Sequence, residues 1–187
     1  MNEVGPRSNG PLIEARGLNK NFGPIPALAG VDLELAGGQV IGLLGENGCG
    51  KTTLLKVLAG VMQDHAGRVR IAGRRLGPET KACVSFLPDA SYLKDSATLS
   101  QCIKMFSDFF PDFRADKASD MIKFFGLAEG MKLKQMSKGM REKAQIALAM
   151  SRDAKVFLLD EPISGVDPAA RDVILKGIVR NLEADAL

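Results

Sequence analysis

Apolar residues recur along this chain with two different periods. Leu12-Ile13-Glu14-Ala15-Arg16-Gly17-Leu18 and Val31-Asp32-Leu33-Glu34-Leu35 alternate over most of their length, as a half-buried strand does. Between them, Asn19-Lys20-Asn21-Phe22-Gly23-Pro24 holds turn residues and one aromatic ring. Gly67-Arg68-Val69-Arg70-Ile71-Ala72-Gly73 alternates again, and Cys83-Val84-Ser85-Phe86-Leu87 is a further short strand stopped by Pro88-Asp89. Two runs are continuously apolar, Val40-Ile41-Gly42-Leu43-Leu44 and Val156-Phe157-Leu158-Leu159, which predicts strands buried on both faces. From Thr98 to about Gly126 the period lengthens, with Leu99, Ile103, Phe106 and Phe110 at helical spacing and Met121, Ile122, Phe124 and Phe125 beyond Pro111. Ser137 caps a predicted helix from Gly139 to about Arg152, and Asp167-Pro168 opens a last one through Val173, Ile174, Ile178 and Leu182.

Strands on either side of a helical block predict an α/β chain, with early antiparallel strands beside a parallel core and hence a mixed sheet. Residues 1–11 read as a flexible tail, 12–97 and 154–187 as the core, and 98–153 as an inserted helical lobe. Six of the nine phenylalanines fall in that lobe, at 106, 109, 110, 113, 124 and 125. They either fill the lobe's own core or line a docking groove.

Composition narrows the class. The 187 residues suit one domain, and a formal charge of +3, without a basic stripe interleaved with aromatics, gives no support for nucleic acid. No apolar run is long enough to span a bilayer and the first residues lack a signal-peptide core, so a cytoplasmic chain is expected. Cys49, Cys83 and Cys102 are odd in number and widely spaced, which suggests free thiols and neither a disulfide framework nor a zinc site.

Chemistry concentrates at Gly45-Glu46-Asn47-Gly48-Cys49-Gly50-Lys51-Thr52-Thr53, a G-x-x-x-x-G-K-T loop between an apolar run and the helical Leu54-Leu55-Lys56-Val57-Leu58-Ala59. Gly45, Gly48 and Gly50 let successive backbone N–H groups turn inward on phosphate oxygens, and the following helix adds its positive end. Lys51 would reach the β- and γ-phosphates, and Thr52 would offer its hydroxyl to Mg²⁺. An ordinary glycine turn is the competing reading. A second cluster, Asp160-Glu161, sits at the end of the other apolar strand, where open α/β sheets bind ligands. Asp160 would hold Mg²⁺ through water and Glu161 would polarise an attacking water. Cys49, beside Lys51 at a helix start, is a candidate reactive thiol.

In this order the motifs resemble the nucleotide-binding domain of an ABC (ATP-binding cassette) ATPase, over nearly the whole chain from Leu12 to Leu187. The resemblance implies a P-loop NTPase core with a mixed sheet, an antiparallel β subdomain near the N-terminus and an inserted helical subdomain. Phe22 falls where the family stacks an aromatic ring on adenine, and Gly45 to Thr53 match the Walker A loop, with Asn47 and Cys49 among the phosphate-binding positions. Met136-Ser137-Lys138-Gly139-Met140 resembles the LSGGQ signature, keeping the serine and the second glycine; Lys138 and Met140 depart from it. Val156 to Glu161 match Walker B, and Ser164-Gly165-Val166-Asp167 resembles the loop that crosses the dimer interface. Asp89 takes the place of the family's glutamine and, as an anion, joins Thr52 and Asp160 as a metal-site candidate. Ser137, Gly139 and Asp167 would meet the ATP of a second copy.

The resemblance implies an ATP-binding subunit that uses MgATP to close a homodimer, or a pair with a second ABC domain, with Lys51 and Glu161 as the hydrolytic residues. It also implies a transmembrane permease partner that would hold the chain at the inner face of the membrane; Tyr92 and Leu93 with the aromatic lobe are its docking candidates. The family's switch histidine lies beyond the last helix, whereas the single histidine here is His65, so a shortened chain with impaired hydrolysis is expected. Two other readings stay open, a soluble ABC-type switch on a DNA- or ribosome-associated assembly and a small P-loop kinase.

Overall fold

The computed structural model describes residues 10–164, 166 and 168–181. Most of the expected tail, Gly165, Asp167 and Leu182 lie outside these residues.

The alternating segments form one antiparallel sheet. β1 (Ile13–Phe22) and β2 (Ile25–Leu35) are a hairpin in register from Ile13 opposite Leu35 to Phe22 opposite Ile25. β1 runs on through Asn19–Phe22 and β2 starts at Ile25, well before Val31, because Gly23, at φ 57°, makes the turn in very few residues. β3 (Ala66–Ile71) pairs with the other edge of β1, and β4 (Arg74–Arg75) with β3, giving the order β2-β1-β3-β4. Ile13, Ala15, Val69 and Ile71 line the buried face. They pack with Leu54, Val57 and Leu58 of helix α1 (Lys51–Leu58). On the opposite face Glu14 and Glu34 stand across from each other, and Arg16 bridges both carboxylates.

A second sheet is parallel, β5 (Val84–Leu87) beside β6 (Val156–Leu159), paired from Val84–Val156 to Leu87–Leu159. It stands between two apolar clusters and serves both by strand alternation. Val156 and Leu158 join the cluster under the antiparallel sheet, while Phe157 joins the helical one. A run apolar at every position is what a strand covered on both faces needs.

The other apolar run corrects the sequence reading. Residues 36–46 belong to no strand, and Val40 and Leu44 are 68% and 92% exposed. Gly42 interrupts the run with a residue that has no side chain to pack, and among the described residues the segment has no ladder partner that would satisfy its backbone.

Helices α3 (Leu99–Phe109), α4 (Ala115–Phe124) and α5 (Lys138–Met150) form the lobe, and α6 (Pro168–Asn181) packs against α5. Thr98 caps α3 through a reciprocal pair, its hydroxyl accepting from Gln101 N–H and the Gln101 amide oxygen accepting from Thr98 N–H. Pro111 separates α3 from α4. All residues from Ala144 to Met150 are buried, the pattern of a helix enclosed on every side. The aromatic rings divide: Phe106 and Phe125 are core, whereas Phe109 is 75% exposed.

Arg152, just after α5, joins the lobe to the parallel sheet. Its guanidinium donates to both carboxylate oxygens of Asp112, at 3.0–3.2 Å, and to the carbonyls of Val84 at 2.8 Å and Ala82 at 2.7 Å. It also lies 4.3 Å from the centroid of the Phe110 ring. A buried cation is tolerated here because its donors are occupied by a counter-charge and two carbonyls.

Candidate nucleotide site

The loop before α1 is shaped by glycine where no other residue fits. Gly50, the N-cap of α1, adopts φ 97°, and a Cβ there would run into the carbonyl oxygen of Ala27 on β2. The hairpin therefore fixes how closely the loop and the helix start can approach. Lys51 folds back over the loop, donating to the carbonyls of Gly45 at 2.8 Å and Glu46 at 2.9 Å. Cys49 Sγ lies 4.0 Å from the same ammonium and is exposed.

One residue further, the Thr52 hydroxyl donates to Asp160 Oδ1 at 3.0 Å. Asp160 is only 2% exposed. Its other oxygen, Oδ2, is buried with no hydrogen-bond partner. An unsatisfied carboxylate oxygen next to a threonine hydroxyl and a phosphate-type loop is the donor set a hydrated Mg²⁺ requires, so the residues fit that ion. Glu161 follows on the exposed side with φ 49°, a backbone region that costs a residue with a side chain of this size.

The other sequence candidates are spread over several segments. Asp89 is on the exposed loop after β5, and its charge is felt by Glu142 on α5. That acid is held above the ordinary carboxylate range, chiefly by burial and only partly offset by Lys138. Ser137 caps α5, accepting from Met140 N–H at 3.3 Å, and Gly139 lies beside Val166. None of the described hydrogen bonds of the loop at 45–53 reaches residues 136–140. Asn47, Gly48 and Thr53 lie on the loop and the first turn of α1, and Asp167 is outside the described residues.

Phe22 ends β1 and is 49% exposed, with the Lys20 ammonium 5.1 Å from its ring centroid. Lys20 is itself buried by its stem and bonded to Asp64 at 2.8 Å. Of the docking candidates, Tyr92 lines a groove of about 280 Å³ with Met105, Phe106, Phe109 and Phe110. Leu93 is instead part of the core, because its side chain turns into the helical cluster. Sequence reasoning passed over Lys20 and Arg152. The signal for Arg152 was a cation set directly after the buried run Ile146–Met150 and before the apolar strand Val156–Leu159.

A glycine-built loop at a helix start, tied through threonine to a buried strand-end aspartate, defines an α/β protein with the P-loop NTPase fold. The model of the ABC transporter family matches residues 28–164, and the chain belongs to that family. It is 31% identical over 182 residues to the Fe(3+) ions import ATP-binding protein FbpC of Mesorhizobium japonicum, covering 92% of this chain and 51% of that protein. It is 30% identical over 175 residues to the Nod factor export ATP-binding protein I of Ralstonia nicotianae, covering 88% and 54%. The chain thus spans about half the length of these curated relatives. A solved ATP-binding subunit of an ABC transporter superposes with a TM-score of 0.82 at 26% identity, over 94% of this chain and 76% of that one. A putative ABC transporter ATP-binding protein from Pyrococcus furiosus gives the same TM-score at 23% identity, over 93% and 87%, which speaks to the fold alone. Among the described residues no helix is long and apolar enough to cross a membrane.

Proposed function

We propose that this chain is the ATP-binding subunit of an ABC transporter and hydrolyses MgATP to drive a membrane permease. The observation that carries the reading is the Thr52–Asp160 hydrogen bond, with Asp160 Oδ2 buried and unpartnered beside it. Mg²⁺, when bound, would offset charge on the β- and γ-phosphate oxygens. Thr52 and Asp160 would hold it, the aspartate through water. Lys51 would exchange its two loop carbonyls for phosphate oxygens, which present full charge in place of dipoles. The N–H groups from Gly45 to Thr53 would line the triphosphate, and the exposed face of Phe22 would carry the adenine. Glu161 would accept a proton from the attacking water, with its carboxylate placed by the left-handed backbone.

The signature residues do not close on the loop within one chain, which supports a site completed by a second copy. Ser137, Gly139 and Asp167 of one protomer would face the γ-phosphate held by the other, and α5 would add its N-terminal dipole. Import and export both occur among the relatives' names, so direction is assigned to the permease. Tyr92 and the aromatic groove are its proposed docking surface, which keeps the chain at the inner membrane face.

The test uses Glu161→Gln. MgATP affinity should match the parent, turnover should fall at least about 100-fold, and light scattering should show a dimer that persists with MgATP. Equal turnover would remove Glu161 from the reaction, and a monomer at saturating MgATP would remove the shared site.

A further inference from the structure

Beyond the C-terminal end of α1, the antiparallel sheet and helix α2 (Pro78–Ala82) enclose a cleft of about 590 Å³ that the nucleotide reading does not use. Arg68, Arg75, Lys81 and His65 line it, and no acidic residue does. None of the three cations there has an ion-pair partner among the described residues, unlike Arg74 nearby, which Glu79 engages. The ladder makes the excess charge sharper. Arg70 stands directly across from Arg75, and like charges at such positions repel. The acid on the other side of Arg70, Glu14, is engaged by Arg16, and Arg70 Nε is buried with no acceptor. Two guanidinium forks and an ammonium on one cleft wall with no acid among its lining residues, and the unpaired Arg70 beside them on the ladder, leave room for an anion.

We propose that this cleft binds a polyphosphate group, at a site separate from the phosphate loop. Gly60 on its wall follows the last turn of α1, whereas Lys51 starts that helix, so the two sites lie about 12 Å apart along eight residues of helix. The helix end nearest the cleft carries a partial negative charge that opposes an anion. Its carbonyls are already occupied, Lys56 O by the N–H groups of Val61 and Met62, and Val57 O by that of Gly60. The guanidinium forks of Arg68 and Arg75 suit paired phosphate oxygens, and Lys81 adds a point charge across the cleft. A concave pocket of this size takes a compact multivalent anion better than a duplex backbone does. The shared chemistry is a chain or cluster of phosphates, either free in solution or on an inositol lipid headgroup.

Calorimetric titration of sodium tripolyphosphate into the Lys51→Ala chain isolates the cleft from the loop. Binding should persist there, weaken with added salt, and fall at least about tenfold in Arg68→Gln/Arg75→Gln. Lys81→Gln, at an exposed position, should lower it several-fold with an unchanged thermal melt, which separates lost binding from lost fold. Sedimentation with phosphatidylcholine vesicles, with and without phosphatidylinositol phosphate, distinguishes the sources. Tripolyphosphate binding sensitive to the arginines assigns the free ligand, and arginine-dependent sedimentation only with the inositol lipid assigns the headgroup. Binding to neither probe, or affinity unmoved by Arg68→Gln/Arg75→Gln, overturns the site. MgATP affinity at the loop stays at the parent value in the arginine variant, so failure here is distinguishable from failure of the nucleotide reading.

Discussion

Thr52 and Asp160, 108 residues apart, share a hydrogen bond of 3.0 Å that holds the start of α1 against the end of β6. Asp160→Asn can still accept from Thr52 through its amide oxygen, but it replaces the buried, unpartnered carboxylate oxygen with an NH₂ group that cannot ligate a cation. The magnesium-dependent part of ATP affinity should therefore drop by about 10–100-fold while the melting temperature changes little. Comparing nucleotide titrations in Mg²⁺ and in EDTA checks this. An unchanged magnesium dependence would take Asp160 out of the ion's site.

The thiols should separate by reactivity. Cys49 is exposed on the loop, whereas Cys102 is buried and burial raises its thiol above the ordinary range. N-Ethylmaleimide followed by peptide mass mapping should label Cys49 first. MgATP should slow that labelling at least about fivefold by covering the loop, while Cys102 stays unmodified until the chain unfolds. Labelling of Cys49 at one rate with and without MgATP would mean that nucleotide does not cover it.

Arg152 is predicted to matter more than its position between two elements suggests. Arg152→Lys cannot span Asp112 and two carbonyls with one ammonium, and it leaves buried acceptors unsatisfied. Urea unfolding should show a loss of about 2–4 kcal/mol, and Arg152→Met a larger one because Asp112 then loses its counter-charge. A change below about 0.5 kcal/mol would reduce the clamp to a surface contact.

Glu142 gives the pH dependence a sign. Burial raises its folded pKa, so the folded state holds this proton more tightly than the unfolded chain. Its stabilising contribution is full below the ordinary Glu value and is lost as pH rises through the raised folded value. Glu142→Gln should flatten that part of the stability profile. It should also add up to about 1 kcal/mol at neutral pH, since Oε2 is buried without a partner. Identical profiles for the two proteins between mildly acidic and neutral pH would contradict this.

Local chemistry was legible where a few adjacent residues decide it. The loop at 45–53, the Ser137 cap and the carboxylates ending β6 depend on spacings within one segment. What the chain order concealed depends on distant partners. Val40–Leu44 has the composition of a buried strand, but a strand needs an edge to receive it, and apolarity does not specify that edge. Leu93 and Tyr92 are neighbours in sequence, yet one enters the core and the other lines the groove. Arg152 finds its acceptors 40 and 68–70 residues upstream, separations that no local pattern encodes.

The backbone of Glu161 carries a trade between durability and chemistry. At φ 49° a glycine would sit with less strain, so Glu161→Gly should relax the turn after β6 by about 1 kcal/mol while removing the carboxylate. A screen for heat resistance alone would favour that change and yield a sturdier protein that has given up its proposed proton acceptor.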